Sequence, residues 1–218
     1  MQTLTQKCII MSKRKAILYL LLLSSTICLS SCVSVGIEKA KYNVTEKEGK
    51  FEIRQYSLQI VAETVVDADF EEAGNIAFRR LFDYISGNNR RKESISMTAP
   101  VNQKARSEKI AMTAPVNQYK SEGKFVVSFV MPSKYTIESL PEPLDSNVVL
   151  REVQSSKFAA VRYSGTWGKK KYEAQKKLLE EFIRNKGLRK TGEAIFARYD
   201  PPFQLSFLRR NEVLIPVE

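Results

Sequence analysis

Among the 218 residues there is no histidine, and this removes most of the side-chain chemistry open to a chain of this size. Without imidazole there is no Ser-His-Asp triad and no histidine base. Metal clusters built from cysteine and histidine are excluded with it. The three cysteines, Cys8, Cys28 and Cys32, all lie near the N-terminus and give the body of the chain no thiol nucleophile. Paired carboxylates occur at Glu71-Glu72 and Glu180-Glu181, but neighbours on a helix point in different directions and read as solvent-facing. No G-x-x-x-x-G-K loop is present to cradle phosphates. Nothing in the residue types proposes a catalytic centre, and the expectation is that this protein is not an enzyme. Taken alone, the arginine pairs Arg79-Arg80 and Arg209-Arg210 read as a solvated face, and Phe78 and Phe82 as helix residues turned to the core.

These groups need a scaffold, and the N-terminal residues are not part of it. Lys13, Arg14 and Lys15 precede an apolar run from Ala16 to Leu23, and small residues lead to a cysteine at Leu29-Ser30-Ser31-Cys32. A basic start, a short apolar core and a small-residue cut site mark an export signal. Leu-Ser-Ser-Cys resembles the bacterial lipobox, so residues 1–31 are expected to be removed and Cys32 lipidated, with Met11 as an alternative start. The competing reading is an uncleaved anchor. Cleavage would remove Lys7, Lys13, Arg14 and Lys15 and no acid, lowering the net charge from +11 to +7. It would also leave no disulfide framework, so the fold must rest on its core. A moderately basic exported domain points to anionic lipid or an anionic ligand and not to nucleic acid.

Residues 32–41 read as a tether and 42–218 as one domain. Tyr56 to Val66 alternates with a period of two, as a half-buried strand does. From Phe70 to Ile85 the period changes: Ala73, Ala77, Leu81 and Ile85 form a stripe flanked by Phe78 and Phe82, with Asp69 placed to cap and Gly87 to stop the helix. Phe125–Met131 is a buried strand closed by Pro132. Val148–Val153 and Phe158–Tyr163 are strands. A second amphipathic helix carries Tyr172, Gln175, Leu179 and Phe182 and ends at Gly187. Ala194–Tyr199, Phe203–Leu208 and Glu212–Val217 complete the strands. Lys169-Lys170-Lys171 either opposes the dipole of the second helix or lies in a loop before it.

Two repeats are present. An offset of 97 aligns Ile53 with Leu150, Ala62 with Ala159, Ala77 with Ala174, Leu81 with Leu178 and Ile85 with Phe182. The halves therefore predict an α+β domain: a twisted antiparallel sheet or distorted barrel, flanked by two helices. The second repeat is sharper. Ile95–Gln103 recurs as Ile110–Gln118 with eight of nine positions identical. Each copy reads as a brief strand stopped by proline, and the two could pair as a hairpin.

The Met-Thr-Ala-Pro-Val copies after Gly87-Asn88-Asn89, together with Phe51-Glu52-Ile53-Arg54, Tyr199-Asp200-Pro201-Pro202 and Arg209-Arg210-Asn211-Glu212-Val213, resemble the SOUL heme-binding family over about Tyr42–Glu218. The resemblance implies a duplicated barrel-like domain that holds heme or a related tetrapyrrole non-covalently. Related duplicated domains act as small-molecule sensors. With no histidine to ligate iron, the implied mode is an apolar groove beside the first helix: Ala77, Phe78, Leu81 and Phe82 facing Tyr199 and Phe203. Arg79, Arg80, Arg209 and Arg210 would then meet the propionates. Met97, Met112 or Tyr199 could reach iron, as methionine and tyrosine do elsewhere, or could simply fill the core. The expected function is storage, scavenging or transfer by a monomer anchored through Cys32, at the outer membrane and facing the periplasm. The alternatives are a binder or sensor of another amphiphile, and a structural envelope lipoprotein without a pocket.

Overall fold

The computed structural model describes residues 37–91 and 107–218. The repeat copy containing Met97, the hairpin expected to join the copies, and the export segment with Cys32 lie outside the described residues.

Nine strands form one sheet, antiparallel throughout and curled into a half-barrel. In chain order these are β2 (Tyr42–Glu48), β3 (Phe51–Tyr56), β4 (Gln59–Val66), β7 (Val116–Ser121), β8 (Lys124–Val130), β10 (Val149–Val153), β11 (Ser156–Tyr163), β12 (Ile195–Arg198) and β13 (Asn211–Pro216). Two-residue strands pair outside it: β1 (Glu38–Lys39) with β6 (Thr113–Ala114), and β5 (Asn89–Arg90) with β9 (Glu142–Pro143). Helix α1 (Phe70–Ser86) packs on β4 and β8, and α2 (Lys169–Asn185) on β11 and β13. The fold is α+β, as expected.

The sheet order is β10-β4-β8-β7-β12-β13-β11-β3-β2. Exchanging β3 with β10, β4 with β11, β7 with β12 and β8 with β13 reproduces the first eight strands in reverse, so the duplication is built into the sheet. Each half lends its first strand to the other: β3 pairs with β11, and β10 with β4. The offset of 97 maps β4 onto β11. It runs one residue out of step in the helices. Buried Gly74, Leu81, Tyr84 and Ile85 match buried Tyr172, Leu179, Phe182 and Ile183 at an offset of 98, whereas the Leu178 paired with Leu81 at 97 is exposed. The link before α2 (164–168) is longer than that before α1 (67–69) and carries Trp167.

Alternation sorts the strand side chains. Phe196, Val213, Ile215, Ala159 and Val161 face the helices and join Tyr172, Leu179 and Phe182. Ala197, Leu214 and Ala160 face the other way and pack with Tyr56 and Tyr199. The α1 stripe Ala73, Ala77, Leu81, Tyr84 and Ile85 closes a third cluster with Val127 and Phe129. Gly87 ends α1 at a φ of 123°, where Asn88 N–H returns to the Asp83 carbonyl; a side chain would be strained there. Asp69 caps α1 through its backbone, without a side-chain hydrogen bond.

Four local expectations are changed or settled. Tyr56–Val66 is not one strand, because the chain turns at Ser57-Leu58 between β3 and β4. Phe203–Leu208 is not a strand: β12 already pairs with β7 and β13, and β13 with β11, so neither strand that flanks it in sequence offers an open edge. It forms a loop with a short 3-10 turn, Ser206–Leu208. Lys169–Lys171 lie in the first turn of α2, where the amide of Lys169 donates to the Glu71 carboxylate at 3.0 Å. An acid from α1 thus serves the N-terminus that the lysines disfavour. Ile37–Lys41, read as tether, belong to the fold: β1 pairs with β6, and Ala40 N–H donates to the Ala114 carbonyl.

Candidate functional site

A cavity of about 630 Å³ opens where α1, the link before α2 and the loop after β12 converge. It lies within the range of roughly 300–1,000 Å³ in which small-molecule sites fall; two other clefts are each about 180 Å³. Gly74, Asn75, Phe78 and Arg79 line it from α1. Met112 to Ala114 and Val116 line it from the described repeat copy, and Tyr199 to Phe203 from the loop after β12. Ile37, Trp167 and Arg198 complete it.

Arg198 sets the electrostatics. It stands two residues beyond Phe196 on β12 and so points to the helix side of the sheet. Its guanidinium lies 5.5 Å from the centre of the Trp167 ring and 5.6 Å from that of Phe196. Among the described residues it has no carboxylate partner, and its Nε and Nη2 are buried without a hydrogen bond. Burial pushes its pKa down to about 10, which still leaves it charged at neutral pH. Trp167 Nε1 is likewise buried and unpaired. Buried polar groups are normally satisfied, and each orphan costs about 1–3 kcal/mol. Two orphaned donor side chains on one cavity wall suit a ligand that brings an acceptor, above all a carboxylate. Gly74 permits this approach: a Cβ there would fall 2.9 Å from Gln118 Oε1 and 3.1 Å from Arg198 Nη1.

The residues expected from sequence divide. Phe78, Arg79, Met112, Tyr199 and Phe203 do line the cavity. Arg79 donates only to the Asn75 carbonyl and has no carboxylate partner among the described residues. Phe82 lies behind, stacked on Phe78 at 5.8 Å. Ala77 and Leu81 do not reach the cavity, because they are fully buried between α1 and the sheet. Arg80 is turned to Thr64 Oγ1 at 2.7 Å and to Asp145. Arg209 donates to the backbone carbonyls of Gln204 and Pro202 and lies 4.6 Å from the Trp167 ring, bracing the cavity wall.

Arg210 is spent elsewhere, in a buried cluster on the sheet face away from the helices. Its Nε donates to Glu212 at 3.0 Å and its Nη2 to the Tyr42 hydroxyl at 3.1 Å, with the guanidinium over Tyr199. Tyr199 donates its hydroxyl to Glu212 at 3.0 Å. Burial and the nearby Glu212 charge hold that phenol well above its usual pKa, so it is a poor source of phenolate for iron. Among the described residues, Met112 is thus the one expected iron donor on the cavity wall whose functional atom has no such competing partner. Sequence reasoning missed Trp167, Arg198, Asn75 and Gly74. A signal existed for Arg198, since alternation from Phe196 carries a cation onto an inward-facing position.

The described residues contain no group of three or more Cys, Asp or Glu able to hold a metal ion. No described helix is long and apolar enough to cross a membrane.

A duplicated α+β half-barrel with a cavity beside its first helix defines a ligand-holding class of domain, and comparison gives that class a family. Residues 37–216 match the SOUL heme-binding protein model, and the chain belongs to that family. Heme-binding protein 2 of Mus musculus is 28% identical over 178 residues, covering 80% of this chain and 82% of the relative. Heme-binding protein 1 of Xenopus tropicalis is 26% identical over 175 residues, covering 77% and 84%. Among solved structures, the EcmrR C-terminal domain superposes with a TM-score of 0.56 at 12% identity, covering 81% of this chain and 98% of that one. That likeness concerns the fold alone.

Proposed function

We propose that this protein binds heme or a related tetrapyrrole in the cavity beside α1, non-covalently, without a histidine ligand and without catalysing a reaction on it. The observation that carries the reading is Arg198: a half-buried cation without a carboxylate partner among the described residues, its Nε and Nη2 shut from solvent and unpaired, on the wall of a large apolar cavity in a chain of this family. The residues present fit such a group. Phe78, Trp167 and Phe203 offer surface to a flat macrocycle, and Arg198 and Arg79 offer charge to its propionates. A bound heme would supply iron for reversible ligation, and the Met112 thioether is the wall atom chemically suited to it. The protein's own work is to desolvate the macrocycle and neutralise its acids.

The test is a hemin titration of the full-length chain in detergent. A Soret shift with quenching of Trp167 emission is expected. No shift and unchanged Trp167 emission would end the reading. Repeating the titration with metal-free porphyrin separates recognition of the macrocycle from ligation of iron.

The cellular address rests on the lipobox. The proposal is an exported lipoprotein held at the outer membrane through Cys32. Cys32→Ser should release it from membranes, and continued membrane residence would favour the uncleaved anchor.

A further inference from the structure

Of the eleven large apolar side chains exposed among the described residues, four fall within six positions: Phe203 at 75%, Leu205 at 59%, Phe207 at 66% and Leu208 at 56%. The others are scattered, and scattered exposure needs no explanation. The loop bearing these four is held in place. Arg209 ties back to the carbonyls of Pro202 and Gln204, and Leu208 N–H donates to the Leu205 carbonyl at 2.9 Å. The apolar side chains are therefore presented outward by a braced loop. Phe203 also lines the cavity, so patch and cavity mouth are continuous.

Cations without an acid partner stand beside the patch. Arg79 at the cavity mouth and Arg209 at the end of the loop have no carboxylate partner among the described residues, and the one acid of the same loop, Asp200, accepts the backbone amide of Arg210. We propose that the 203–208 loop docks this protein on an anionic lipid bilayer, with its phenyl and leucyl side chains at the acyl boundary and the arginines among the headgroups. Apolar side chains fringed by cations match that interface in both layers. This rests on the cavity being a ligand site and names the phase with which it exchanges its cargo: the mouth would open against lipid, where an apolar macrocycle partitions.

The experiment uses the full-length chain carrying Phe207→Trp, mixed with phosphatidylglycerol vesicles brominated on the acyl chains, and no hemin. The control is Leu58→Trp, at the exposed turn between β3 and β4; Trp167 is common to both. Bromine quenching should be at least about twofold greater for Phe207→Trp, and weaker with phosphatidylcholine. Any N-terminal attachment brings both variants to the vesicle equally. Equal quenching would overturn the proposal and point to a protein partner for the patch; indifference to the headgroup would overturn its electrostatic half. Hemin titration in detergent reads the cavity separately, because Phe207 does not line it, so the two failures are distinguishable.

Discussion

Arg54 on β3 and Glu212 on β13 meet at 2.6 Å although 158 residues separate them. Arg54 is 2% exposed and Glu212 is fully buried. Arg54 also donates to Glu52 and to the Tyr56 hydroxyl, and lies over Tyr42. Burial works to lower the Arg54 pKa, but the hydrogen bond and charge of Glu212, together with Tyr56, outweigh it and hold the pKa above its usual value. Two of the segments that carry the family resemblance therefore meet in a structural charge cluster.

Breaking such a pair from one side leaves a buried charge without its partner. Glu212→Gln or Arg54→Met should each destabilise the fold by about 3–5 kcal/mol in urea unfolding. The double variant Arg54→Met/Glu212→Gln should lose clearly less than the sum of the two. Strict additivity would mean that the pair is not coupled.

Arg198 predicts effects of opposite sign on stability and binding. Arg198→Met removes two donor nitrogens that are shut from solvent without a hydrogen bond, so the ligand-free protein should gain about 1–3 kcal/mol in thermal or urea unfolding. Hemin affinity should fall about tenfold or more, because a charge-assisted hydrogen bond is lost. A variant that bound hemin as well as the parent would remove Arg198 from the site.

Gly74 tests the close approach. Gly74→Ala gains helix propensity of about 1 kcal/mol but presses on Gln118, which is pinned by its bond to the Phe70 carbonyl at 2.7 Å, and on Arg198. Stability should change little, and hemin titration should show several-fold weaker binding. Undiminished binding would show that Arg198 is free to move.

Stability should fall at both ends of the pH scale. Burial favours the neutral form of Glu52, but hydrogen bonds from Arg54 and Lys47 prevail and hold its pKa below the usual 4.5. A lowered carboxyl pKa gives stability that is present above 4.5 and lost as pH falls through the folded value. On the alkaline side, burial pushes Tyr56 and Tyr135 up to about 12. A raised phenol pKa gives stability that is full below about 10 and lost as pH rises through about 12. Urea midpoints across pH, read beside tyrosinate absorbance, check both limbs. Glu52→Gln should flatten the acid limb alone.

Much of the architecture was legible from period. The stripe Ala73, Ala77, Leu81 and Ile85 marked α1 because a helix seated on a sheet can bury only one stripe. Phe125–Met131 marked β8 because a strand covered on both faces must be apolar on both, and this one is so but for the small Ser128. The loop 203–208 misled because its period of two is that of a strand, and only the pairing of β12 and β13 shows that neither flanking strand had a free side for it. Arg210 was legible in part: Arg210 and Glu212, like Glu52 and Arg54, stand two apart on a strand and share a face, which pairs them with each other before any ligand.

The sequence by itself determined the class of the protein. The absence of histidine, the change of hydrophobic period and the echo between halves are properties of residue type and spacing, and none depends on which surfaces finally meet. Only the tertiary structure decided which arginines remain unneutralised. Arg54 and Arg210 are consumed by Glu212 and Arg80 by Asp145, while among the described residues Arg79, Arg198 and Arg209 are left without an acid beside the cavity. Ion pairing is settled by contacts of a few ångströms between segments far apart in the chain, and those distances exist only once the sheet has closed.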